Sequence, residues 1–159
     1  MMQRPPVFGL LVAAAILVAD QISKVFFLDL MQQNPAGIVV TPFFNLVMVW
    51  NTGVSFGLFQ EDSDFRSWTL IAVALAVLVW LGIWLWRCRS GLVAAALGLI
   101  IGGAIGNVID RYRFGAVFDF LDFHAFGQHW PAFNLADSAI VVGVGLLLLD
   151  GFRPQKTTP

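Results

Sequence analysis

The sequence predicts an all-α membrane protein, a bundle of four transmembrane helices with a small β-rich cradle on its outer face. Composition is the first observation behind that reading. Apolar residues make up 58% of the 159-residue chain and charged residues 12%, with a mean hydropathy of +0.81. So few charges cannot cover a soluble globule of this size. The second is segment length, because residues 7–30, 68–86, 92–109 and 135–152 are long enough, or nearly so, to cross about 30 Å of hydrocarbon at about 1.5 Å per residue. The third is where the basic residues fall. Arg4 precedes the first span, Arg87 and Arg89 lie between the second and third, and Arg153 and Lys156 follow the fourth. With four crossings they share one side, which places both termini in the cytoplasm. Residues 1–159 read as one integral membrane domain.

The first span could be mistaken for a cleaved leader, since Arg4 precedes an apolar run ending near Ala19. The run continues past Asp20 through Val25, Phe26, Phe27 and Leu28, which is too long for an ordinary leader core, so the span is expected to be retained. Residues 31–67 form an outer loop. There Ile38 to Val40 and Phe44 to Val49 are β-rich and bracketed by Pro35, Gly37, Pro42 and Gly53, which predicts the cradle. Trp50, Phe56 and Phe59 suit a lid at headgroup level, and Glu61, Asp62 and Asp64 put negative charge outside. On the third span Gly98, Gly102 and Gly106 recur every four residues, and Ala139 and Gly143 repeat the spacing on the fourth, so backbones can approach closely. Residues 110–134 form the second outer loop.

A carboxylate in or beside hydrocarbon costs about 2.5 to 3.5 kcal/mol even on the lenient insertion scale, so each one needs a reason. Asp20 and Lys24 are four apart on one helix face and can neutralise each other. Asn107 and Asp110, three apart at the outer end of the third span, face the bundle with Arg111 adjacent, whose guanidinium can grip carboxylates or carbonyls. Asn134 and Asp137 have the spacing of a helix N-cap and its acidic partner. Asp119 sits among Val117, Phe118, Phe120 and Leu121 and needs a partner or a proton. These polar groups cluster at the outer end.

Several chemistries fit poorly. With net charge −1 and no basic run, nothing suggests nucleic-acid binding. The lone Cys88 excludes an internal disulfide, and no clustered metal ligands or cofactor motif exist. Ser55, Ser138, His124 and His129 form no recognisable nucleophile and base. Two carboxylates without metal or nucleophile suit an aspartic protease, one ionised to activate water and one protonated to polarise the scissile carbonyl. By the residues alone, Asp110 rivals Asp119 for the second role. An intramembrane proton relay through Asp20, Lys24, Asp110 and Asp137 is the competing reading, but relay groups should span the membrane's depth.

Five motifs in register, Asp20-Gln21-x-x-Lys24, Asn51-Thr52-Gly53-x-x-Phe56-Gly57, Gly102-Gly103-Ala104-x-Gly106-Asn107-x-x-Asp110-Arg111, Val117-x-Asp119-Phe120 and Phe133-Asn134-x-Ala136-Asp137-Ser138, resemble the bacterial lipoprotein signal peptidases (signal peptidase II). The resemblance implies an inner-membrane aspartyl endopeptidase that removes the signal peptide of prolipoproteins before a diacylglyceryl-modified cysteine. It puts the catalytic pair on Asp119 and Asp137. It puts the supporting and substrate-binding shell on Asp20, Lys24, Asn51, Gly53, Asn107, Asp110, Arg111 and Asn134, with no metal and no cofactor. Asp122 adds a carboxylate expected close to the pair. The acyl chains are expected to stay in the bilayer, with small substrate residues near Gly53, Gly103 and Gly106 and the enzyme acting as a monomer.

Overall fold

The computed structural model describes residues 5–53 and 63–152. Arg4, Ser55, Phe56, Gly57, Phe59, Glu61, Asp62, Arg153 and Lys156 lie outside that range, as does the side chain of Asp64. Four helices, α1 (Pro5–Gln33), α2 (Ser63–Arg87), α3 (Gly91–Phe114) and α4 (Leu135–Gly151), carry four strands, β1 (Ile38–Thr41), β2 (Phe44–Asn51), β3 (Val117–Ala125) and β4 (Gln128–His129). Over the described residues, three helices are long and apolar enough to cross a membrane: Pro5–Gln33, Arg66–Arg87 and Gly91–Phe114. The 17 residues of α4 reach about 25 Å, a little short of a full hydrocarbon core.

The helices bury small and polar residues and expose large apolar ones, the reverse of a soluble bundle. Gly9, Ala13, Asp20 and Lys24 of α1 are buried, whereas Val18, Ile22, Val25 and Phe26 are more than half exposed. Glycines set the close approaches. A Cβ on Gly102 would stand 2.5 Å from the Ala13 carbonyl oxygen, and one on Gly103 equally close to that of Ala136. α3 is thereby the central helix, parallel to α1 on one face and antiparallel to α4 on another. Its ends are well defined: Ser90 caps the N-terminus by accepting from the Val93 amide, and Gly115, at φ 72°, closes the C-terminus with its N–H on the Arg111 carbonyl.

The sheet is antiparallel in the order β1-β2-β3-β4. Only its first two strands come from the 31–67 loop; β3 and β4 come from the 110–134 loop, which sequence patterning left without strands. Val117 to Phe120 are all buried, so the alternation that marks a half-buried strand is missing there. That loop also starts later than expected, because α3 runs on to Phe114 and keeps Asp110 and Arg111 helical. Phe118 and Phe120 pack with Met31 of α1 and seat the sheet on the helix ends. A bulge in β2 between Leu46 and Val49 inserts one extra residue against β3. It turns Asn51 onto the same sheet face as Asp119, although Asn45 earlier in the strand pairs with Asp122 on the opposite face.

Candidate active site

Lys24 is the centre of a buried polar cluster. Its Nζ lies 2.9 Å from Asp20 Oδ2, 2.9 Å from Asp110 Oδ2 and 3.0 Å from Asn107 Oδ1, so its three donors are spent on three acceptors from two helices. The carboxylates are satisfied in turn. Asp20, fully buried, also accepts from the Ala136 amide at 3.0 Å and from Gln21, tying α1 to the start of α4. Asp110 accepts from the Phe118 amide at 3.2 Å and so holds the start of β3. Ion pairing between buried groups of opposite charge, completed by backbone donors, meets the requirement for charge in an apolar interior. Asp110 is thus paired with Lys24 and ties the end of α3 to the start of β3.

Asn107 links that cluster to the next layer. Because its Oδ1 accepts from Lys24, its Nδ2 points the other way and donates to Asp137 Oδ1 at 2.7 Å. Asp137 is the third residue of α4, and its Oδ2 accepts from the Asn134 amide at 3.2 Å while Asn134 Oδ1 accepts from the Asp137 amide at 3.0 Å. The capping box is thus real, and it uses only one oxygen of Asp137. Asn134, completely buried, reaches from this cap to Asp119, donating to its Oδ1 at 2.7 Å. Asn51 donates to Asp119 Oδ2 at 3.0 Å from the β2 side.

Asp119 and Asp137 are consequently held from two separate elements and joined through one asparagine. Burial pushes the Asp119 carboxyl up to about 6, with the hydrogen bonds from Asn51 and Asn134 opposing and the negative charge of Asp137 adding to the rise. The guanidinium of Arg111 is within electrostatic reach of both carboxylates and of Asp110. Its Nε is buried without a partner among the described residues. Gly53 sits beside it at φ 86°, its N–H held by Asn51 Oδ1 at 2.8 Å in a turn that a side chain would strain. Asn51 and Gly53 are exposed, so the surface begins next to the fully buried Asp119.

Two expectations are corrected. Asp122 does not join the pair, since it lies on the other face of β3 and accepts from Asn45 at 2.9 Å and pairs with His129 at 2.8 Å. Gly103 and Gly106 do not line a substrate groove. Both are buried, Gly103 against Ala136 and Gly106 so near the Asp20 carboxylate that a Cβ would collide with it. The backbone donors of Ala136 and Phe118, central to the cluster, escaped sequence reading because a main-chain amide carries no side-chain signature. Among the described residues no group of His, Cys, Asp and Glu could hold a metal ion.

The pattern described as Signal peptidase (SPase) II matches residues 12–153. A lipoprotein signal peptidase of Methylorubrum extorquens (strain PA1) is 48% identical over 154 residues, covering 95% of this chain and 89% of that protein. One from Nitrobacter hamburgensis is 50% identical over 149 residues, covering 91% of each. Among solved structures, a bacterial membrane enzyme determined in meso at 1.9 Å superposes with a TM-score of 0.78 at 26% identity, over 94% of both chains. Matched in this way along nearly its whole length, the chain is a peptidase that belongs to the signal peptidase II family.

Proposed function

We propose that Asp119 and Asp137 are the catalytic pair with which this signal peptidase removes signal peptides from prolipoproteins. The observation that carries the reading is the pair itself, one carboxylate with its proton retained to about pH 6 and the other held by Asn107 and a helix N-terminus, joined by Asn134. Asp137 stands in the first turn of α4, beside the free N–H groups of the helix start. Asp137 draws a proton from water as the water oxygen attacks the scissile carbonyl carbon, and Asp119 gives its proton to the carbonyl oxygen. Collapse of the tetrahedral diol breaks the C–N bond. The leaving nitrogen takes the proton held by Asp137, and Asp119 recovers one from the diol. Such a pair titrates as a unit.

Arg111 and the turn at Asn51 to Gly53 bind the peptide backbone, and cleavage falls before a cysteine whose diacylglyceryl chains remain in the bilayer. All four helices cross the inner membrane, both termini are cytoplasmic, and the sheet and the pair lie at the outer face of a monomer. The test is cleavage of a diacylglyceryl-cysteine peptide by the reconstituted enzyme. Asp119→Asn and Asp137→Asn each lower kcat by about 10²- to 10⁴-fold with KM little changed. A folded Asp119→Asn enzyme with near-normal kcat would remove Asp119 from the pair.

A further inference from the structure

The β3–β4 hairpin turns on Phe126 and Gly127, at φ 53° and 75°, between the paired Ala125 and Gln128. Two left-handed residues in a two-residue loop form the mirror-image turn that suits a hairpin's twist, and Asn-Gly or Asp-Gly is the favoured pair. A phenylalanine in the first place takes a backbone conformation that its Cβ disfavours. Among the described residues no packing offsets that strain, because Phe126 is fully exposed, at 104%.

The ring does not stand alone. Phe43, Phe123 and Trp130 are exposed around one open recess beside it, and residues 123–132 contain no Asp, Glu, Lys or Arg. The direction of β3 says what this surface meets. Phe118 lines a small cavity with Lys24, Val25 and Leu28, and Phe120 stacks on Phe27 at 4.4 Å, so the strand crosses α1 without climbing along it. At that height the exposed apolar face of α1, Val25 and Phe26, gives way to the exposed Asp29, Gln32 and Gln33. The start of β3 therefore lies level with the place where α1 passes from apolar to polar exposure, the height that suits interfacial aromatic groups.

We propose that Phe126, with Trp130, Phe43 and Phe123, is an interfacial anchor inserted at the headgroup boundary of the bilayer that holds the helices. Nitroxide labels on Phe126→Cys and, separately, Trp130→Cys in a Cys88→Ser background test it, with the protein in phosphatidylethanolamine–phosphatidylglycerol vesicles. Collision rates with oxygen and with a water-soluble nickel chelate report depth. Both labels are expected to shift from the nickel-accessible behaviour of an Arg89→Cys label towards that of a lipid-facing Val18→Cys label. Adding Phe126→Asn to the Trp130→Cys protein is expected to move that label towards water without lowering the thermal midpoint in detergent, since Asn-Gly suits the turn. Nickel accessibility equal to that at Arg89, shielding from both reagents as if packed on protein, or no response to Phe126→Asn would each overturn the anchor.

Discussion

One side chain, Asp119, decides how the site behaves with pH. Asp119 keeps its proton to about pH 6 in the folded protein, against an ordinary value of 3.8. The folded state then binds a proton between those values that the unfolded chain has lost, so stability is fullest below pH 3.8 and declines as pH rises through 6. The whole effect is about 3 kcal/mol. Denaturation in detergent from pH 4 to 7 should show this decline in the wild type and not in Asp119→Asn; parallel profiles would contradict it. In the proposed mechanism the same proton is the one given to the scissile carbonyl. The alkaline limb of kcat/KM is expected at about pH 6, and that of kcat higher, because bound substrate excludes water from the acid. Lys24 matters for a different reason. Lys24→Met leaves Asp20 and Asp110 buried without their counter-charge, a loss of about 3 to 5 kcal/mol readable as a fallen unfolding midpoint.

At the level of elements, the small residues of α3 set its distance from both neighbours. Alanine at Gly102 or Gly103 would press a Cβ into a carbonyl oxygen of α1 or α4, and each substitution is expected to cost about 1 to 3 kcal/mol. Gly145→Ala meets nothing within 4 Å and should be neutral or stabilising by up to about 1 kcal/mol. Thermal unfolding of the three variants side by side separates packing from helix propensity. The same approach of α3 to α4 carries Asn107 to Asp137, so a spread interface should also lower kcat. The bulge in β2 plays the corresponding part in the sheet, bringing Asn51 round to Asp119.

For the whole molecule, the sheet lies where α1 and α3 end and α2 and α4 begin, while Arg87 and Arg89 mark the opposite end. The proposed orientation, read from the basic-residue asymmetry, puts the sheet on the side away from the cytoplasm. In a Cys88→Ser background, a membrane-impermeant maleimide applied to intact spheroplasts should label Val39→Cys and Gln128→Cys and leave Arg89→Cys unlabelled until the membrane is opened. The reverse pattern would invert the topology.

Class, helices and the polar residues to watch are written in the chain, because transfer from water to hydrocarbon acts on each residue locally. Long apolar runs located α1, α2 and α3, and the cost of charge in lipid singled out Asp20, Lys24, Asp110, Asp119 and Asp137 without reference to their neighbours. The Asp20–Lys24 pair was legible for the same reason, being one helical turn apart. What the chain could not display is anything set by residues distant in sequence. Whether Asp110, Asp119 or Asp122 stands with Asp137 depends on β3 pairing with β2, which puts Asp119 and Asp122 on opposite faces, and on Lys24 reaching Asp110 across two helices. β3 itself was hidden because burial on both faces removes the alternation by which strands are read. The fate of Gly103 and Gly106, packing surface rather than groove, was likewise decided only when α3 met its neighbours, since a glycine looks the same in sequence whether a substrate or another helix lies against it.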